Sequence, residues 1–140
     1  MTQRFVLDTD ILTLYQCGDA NVVRNAQSRA PDRLAVAIIS VGEQLSGWYT
    51  ELRQAKKIEH LAKVYQRMTD AVRFLVRFNI LTFAESAIVR YQDLRAAHRR
   101  LDKDDLRIAA IVLEDDDTLV TRNTKDFQRI PGLRIEDWSK

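Results

Sequence analysis

The chain is poor in the residues that advertise a specialised architecture. Its 140 residues contain one cysteine, Cys17, so no internal disulfide framework is available, and near a helix end that cysteine is expected as a small semi-buried side chain. Two histidines, His60 and His98, have no second histidine or cysteine at ligand spacing and are expected at the surface. Two prolines and four glycines build no linker, and no repeat or low-complexity segment interrupts the chain, which predicts one domain spanning 1–140. No apolar run approaches the roughly 20 residues that a membrane span needs. Nothing at the start resembles a charged-then-apolar leader, so a cytoplasmic location is expected. Charge of one sign is scarce too. With 22 Lys and Arg against 20 Asp and Glu, the net charge is only +2, and attraction to nucleic acid must come from arrangement rather than sum.

What is present is an alternation of elements, in a chain that is 46% hydrophobic. FVL (5–7) reads as a short strand, DILTLYQ and a segment holding Val22, Val23 and Ala26 as helix, and LAVAII (34–39) as a second strand covered on both faces. Ser40 is expected to open a helix to about Tyr49. From Glu51 to Phe78, Ile58, Leu61, Tyr65, Met68, Val72 and Leu75 recur at steps of three and four, which predicts a helix with one apolar seam facing the core. Strand 79–83, helices 84–99 and 104–113, strand TLVT (118–121) and strand LRI (133–135) complete the pattern. Strands separated by helices argue for a parallel α/β sheet whose crevice lies beyond the carboxyl ends of its strands.

Four acids from distant segments fall where that crevice should be. Asp8 follows the first strand, Glu43 sits in the helix after the second, Asp105 heads the helix DDLRIAAIVL, and Asp126 follows TLVT. Carboxylates gathered this way repel one another unless a divalent cation neutralises them. Hard oxygen ligands suit Mg²⁺ or Mn²⁺, and phosphodiester hydrolysis is a reaction that such an ion promotes.

Each acid also has a structural explanation. Ser40-Val41-Gly42-Glu43 fits a capping box. Asp102, Asp104 and Asp105 oppose a helix dipole, Asp126 fits a turn, and Asp10 fits a helix cap or first turn. The tract Glu114-Asp115-Asp116-Asp117 reads as a solvated turn. Asp8 resists this treatment best, because a strand ending in a carboxylate gains nothing structurally from it. Trp48 and Trp138 are expected as packing anchors.

Context shifts the balance. FVLDTDIL (5–12), ISVGEQLSG (39–47), DLRIAA (105–110) and LVTRNTKDFQRIPGLRIEDW (119–138) resemble the PIN-domain ribonucleases, and within them the toxins of the VapC type. The resemblance implies an α/β/α sandwich with a central, mostly parallel sheet and metal-dependent endonucleolytic cleavage of RNA. The acidic positions of that family fall on Asp8, Glu43, Asp105 and Asp126, with Thr121 and Asn123 on the site wall. Many relatives carry Asn where this chain has Asp10, and Gly ahead of the third acid where this chain has Leu101-Asp102. From the chemistry of such a site, Asp8 and Asp105 are expected to hold the principal cation, Glu43 to bind or orient the water that attacks phosphorus, and Asp126 to complete the acidic pocket or support a second ion.

Arg122, Lys125 and Arg129 flank Asn123 and Asp126, while Arg95, Arg99, Arg100 and Lys103 precede Asp105. They are candidate phosphate contacts. The long helical segment, together with the resemblance, implies a homodimer and a cognate antitoxin lying over it. Two other readings stay open. DTDIL superficially matches the D-x-D-x-T/V signature of haloacid-dehalogenase-type phosphatases, against which Leu12 and the chain length stand, and a non-catalytic interaction domain would use the acids for a structural cation.

Overall fold

A computed structural model describes residues 3–140. Strands β1 (Phe5–Leu7), β2 (Leu34–Ala37), β3 (Asn79–Leu81), β4 (Thr118–Val120) and β5 (Arg134–Glu136) form one sheet in the order β3-β2-β1-β4-β5, every pair parallel. Helices α1 (Thr9–Gln16), α2 (Ala20–Gln27), α3 (Ile38–Gln54), α4 (Ile58–Leu75), α5 (Glu85–Ala97), α6 (Lys103–Glu114) and the short α7 (Thr124–Phe127) supply the crossovers. The expected α/β/α sandwich is therefore present, with a sheet that is wholly parallel.

The side-chain period of two in β1 explains the layers. Phe5 and Leu7 point into one core with Ile11, Leu12, Val22, Leu75 and Trp138, whereas Val6 points into the other with Leu106, Ile108, Val112 and Phe127. All three β1 residues are buried, as a central parallel strand requires. Trp138 is the anchor expected of it, its ring centroid 5.4 Å from that of Phe5 at a 49° tilt and covered by the Arg29 guanidinium at 4.5 Å. Trp48 is only half-buried.

Several boundaries differ from the sequence reading. The second strand stops at Ala37, and Ile38 and Ile39 already belong to α3. An apolar run that crosses from strand to helix carries no periodicity to mark the change. Ser40 consequently lies inside the helix, fully buried, and the capping box does not exist: Ala37 is the cap residue and has no side-chain hydrogen bond. The segment from Glu51 to Phe78 is two helices, broken at Ala55–Lys57, where Ala55 is buried in an extended conformation without any Pro or Gly to signal it. The seam is displaced as well. Val64 and Leu75 are buried, but Ile58, Tyr65 and Val72 are exposed, because α4 packs through a stripe rotated from the expected one.

The acidic tract after α6 is not merely a solvated turn. Asp116 adopts a left-handed φ of 54°, and buried Asp117 accepts from the Arg4 backbone N at 3.0 Å and from its Nε at 3.1 Å. Cys17 is exposed rather than semi-buried. His60 is exposed and His98 half-buried. No helix among the described residues is long and apolar enough to cross a membrane.

Candidate active site

The strand order reverses at β1, whose sheet neighbours β2 and β4 lie on opposite sides of it, and the crevice opens beyond the carboxyl ends of those strands. Asp8 stands at that point. It is buried, its backbone N donates to Val120 O at 3.0 Å, and its Oδ1 accepts from Ile11 N at 2.9 Å, capping α1. A structural task for this carboxylate therefore exists, contrary to the sequence reading: the cap holds the side chain at the switch point. Burial pushes the Asp8 carboxyl above its ordinary value, while the hydroxyl of Thr121, at the end of the adjacent strand β4, and the Ile11 amide draw it back.

Glu43 reaches the same region from the second turn of α3. Its Oε1 accepts from the Thr9 hydroxyl at 2.5 Å, and that hydroxyl also meets buried Ser40 Oγ at 2.9 Å. Although Glu43 as a residue is exposed, loss of water around its carboxyl is the leading reason its affinity for a proton rises, followed, against the opposing Thr9 bond, by the charges of Asp104 and Asp102.

The third contributor is the start of α6. Asp102 caps this helix by accepting from Asp105 N at 3.0 Å, so Asp105 lies in its first turn, where the helix dipole and the cap set its position. Burial raises the Asp105 carboxyl to about 7, and the charges of Asp102, Asp8, Glu43 and Asp126 add to it. Asp8 after β1, Glu43 on α3, Asp105 on α6 and Asp126 on α7 thus share one electrostatic neighbourhood. Asp126, in α7, accepts from Asn123 Nδ2 at 3.0 Å, and Asn123 N donates to Thr121 Oγ1 at 3.0 Å, which joins the two wall residues to the cluster.

The donor set fits a hard divalent cation by its chemistry: every group is a carboxylate, and clustering has left them short of positive charge. Among the described residues no three His, Cys, Asp or Glu side chains converge tightly enough to grip one ion by themselves.

Of the remaining sequence candidates, Arg122 donates from Nε to Asp10 Oδ2 at 2.7 Å, and Asp10 itself is an exposed first-turn acid of α1. Lys125, Arg129, Arg99, Arg100 and Lys103 are exposed, and the half-buried Arg95 donates to the Arg99 carbonyl at 2.6 Å. Sequence reasoning missed Thr9 as the partner of Glu43 and Arg107 as the partner of Asp104, at 2.7 Å. The i,i+3 spacing of Asp104 and Arg107 was a readable signal for the second. Nothing local announced the first.

No protein-family model matches the chain. Among curated relatives, "Ribonuclease VapC1" of Haemophilus influenzae (strain R2866) is 27% identical over 143 residues, covering 97% of this chain and 98% of that protein. The VapBC2 structure from Rickettsia felis, solved bound to a promoter DNA fragment, superposes with a TM-score of 0.78 at 27% identity, over 97% of this chain and 99% of its own. A toxin-antitoxin complex from Klebsiella pneumoniae gives 0.72 at 26%, over 95% and 96%. The chain resembles VapC ribonucleases and VapBC toxin-antitoxin assemblies over nearly its whole length. Likeness over nearly the full length of both partners places the acidic centre of this chain within the shared fold rather than in an appended segment.

Proposed function

We propose that this chain is a metal-dependent endoribonuclease and the toxin of a toxin–antitoxin pair, built as one domain across 1–140. The likeness to a VapC ribonuclease and to VapBC assemblies supports the class of activity and the antitoxin partner. The observation that carries the chemistry is the raised Asp105 carboxyl, on which three acids from distant segments, Asp8, Glu43 and Asp126, converge electrostatically beside the neighbouring cap Asp102.

Asp8, Asp105, Glu43 and Asp126 would hold Mg²⁺ or Mn²⁺, which supplies charge neutralisation at the phosphate and activation of water for hydrolysis. The protein side of the reaction follows from the contacts described. Asp8 and Asp105 anchor the centre, each positioned by a helix cap. Glu43, aimed by Thr9, accepts a proton from the attacking water. Thr121 and Asn123 hold Asp8 and Asp126 in place. Arg122, Lys125, Arg129, Arg99, Arg100 and Lys103 offset the repulsion between an acidic centre and the RNA backbone.

The exposed apolar residues of α4 support a protein partner there. We assign this region to the antitoxin and expect the toxin to be a homodimer acting in the cytoplasm. The deciding experiment incubates a mixed RNA pool with wild type and Asp8→Asn, with Mg²⁺ or Mn²⁺ and with chelator. Cleavage confined to wild type with metal supports the assignment. Equal cleavage in chelator, or by Asp8→Asn, defeats it.

A further inference from the structure

Beside the acidic centre lies an open groove of about 700 Å³ between α3, the β3–α5 turn and the start of α6, bordered by Ile38, Gly42, Glu43, Phe83, Asp104 and Arg107. Two of its residues, Glu43 and Asp104, belong to the charged neighbourhood of the centre, so whatever enters the groove is continuous with what sits at the acids. The far wall differs in character. Phe83 meets Tyr91 edge to face with ring centroids 6.0 Å apart, and the Arg107 guanidinium lies 4.9 Å from the Tyr91 ring centroid while its Nη1 donates to Asp104 Oδ1 at 2.7 Å. Aromatic and aliphatic surface, acid acceptors and one positioned guanidinium therefore line a single recess. The width comes from α3: Gly42 contributes no side chain, and a Cβ built there would meet nothing within 4 Å.

Resting on the ribonuclease reading, we propose that this groove is a nucleotide subsite holding one unpaired base of the RNA next to the scissile bond. The base stacks against the Phe83 side, its amino edge faces the Asp104 carboxylate, and Arg107 attends the neighbouring phosphate. Three features favour this occupant. A flat π-face matches a wall of Phe83 and Ile38, and stacking of single-stranded bases on aromatic side chains is a general source of affinity. Acceptor-only carboxylates pair with exocyclic amino groups, as acidic side chains do with cytosine N4, so adenine, cytosine and guanine are favoured over uracil. An Arg oriented by an acid and an aromatic ring presents its fork to a phosphate with little freedom left to lose.

The test is sequencing of cut ends from a randomised single-stranded RNA pool, using wild type, Gly42→Leu, Phe83→Leu and Asp8→Asn with Mg²⁺, beside thermal melts. Gly42→Leu fills the groove from a helical position that tolerates a side chain, so its melting temperature is expected to match or exceed wild type. Wild type is expected to avoid uridine at one position flanking the cut. Both groove variants should flatten that preference and lose about fivefold or more in kcat/KM, the scale of one lost base stack. Folded variants that retain the wild-type preference, with rates within about twofold of it, overturn the subsite while leaving the nuclease assignment intact. Variants with unchanged cleavage but weakened antitoxin binding reassign the groove to a protein ligand and also overturn it. An inactive wild type overturns the nuclease reading on which the subsite stands.

Discussion

Thr9 Oγ1 donates to Glu43 Oε1 at 2.5 Å, so the first residue of α1 orients an acid on α3. Thr9 is outside the acidic set and acts through Glu43, which makes it a positioning residue. Thr9→Val keeps the shape and removes the donor, leaving buried Ser40 without this partner as well. We expect kcat for RNA cleavage to fall about tenfold, the scale seen when groups supporting a metal site are lost. The stability cost should be about 1 kcal/mol by thermal melt. Thr9→Ser should restore most of the rate. A Ser variant as slow as the Val variant would mean that the hydroxyl is not what matters.

The double role of Asp8 separates two substitutions that would otherwise look alike. Asn caps a helix as well as Asp does, whereas Ala does not. Asp8→Asn is therefore expected to abolish cleavage with the metal-free fold unchanged or stabilised, since it takes one charge from a mutually repelling group. Asp8→Ala should abolish cleavage and also lose about 1 kcal/mol of stability with its cap to Ile11 N. Melts and cleavage assays on the pair check both halves; equal stability of the two variants would count against the cap.

Asp105 gives a pH signature. Its carboxyl, raised from 3.8 to about 7, keeps a proton in the folded metal-free protein over a range in which the unfolded chain has released it. The native state binds more protons there, so this group's contribution to stability is complete below about 3.8 and is lost as pH climbs to about 7. Asp105→Asn should thus gain on wild type in metal-free melts as pH rises through that window. A gap between their melting temperatures that stays constant from pH 4 to pH 7 would contradict it.

Metal binding should show the same group from the other side. An ionised Asp105 is needed to hold a cation, so binding displaces its proton. Mg²⁺ affinity is expected to rise with pH up to about 7 and to level above it. Calorimetry at pH 6 in buffers of different ionisation enthalpy should give different heats. Identical heats would show that no proton leaves.

The exposed residues of α4 predict a surface phenotype without a folding phenotype. Ile58 is 81% exposed and Tyr65 56%. Ile58→Glu with Tyr65→Glu should change stability by no more than about 0.5 kcal/mol each and leave RNA cleavage intact. Antitoxin affinity should fall by about tenfold or more, as expected when an aromatic contact is removed from an interface. Wild-type antitoxin affinity in the double variant would place that partner elsewhere on the toxin.

The sequence by itself determined the parallel α/β class and the segments that carry acids. The buried strand FVL ends in Asp8, and Asp126 follows TLVT, because short apolar runs punctuated by charge register directly in composition. The alternation of strand and helix then implied that these ends meet. What the sequence left to tertiary structure was everything fixed by contacts between distant residues. The run LAVAII gave no sign that β2 ends at Ala37, so Ser40 read as a cap when it is a buried partner of Thr9. No Pro or Gly marks the break at Ala55–Lys57, where burial of an extended Ala55 overrides helix propensity, and the seam of α4 turned with that break. The bond from Thr9 to Glu43, the desolvation and crowding that raise Asp105, and the groove that Gly42 leaves open depend on the packing of α1, α3 and α6 against the sheet. Such distances are set by the folded core, and local pattern carries no record of them.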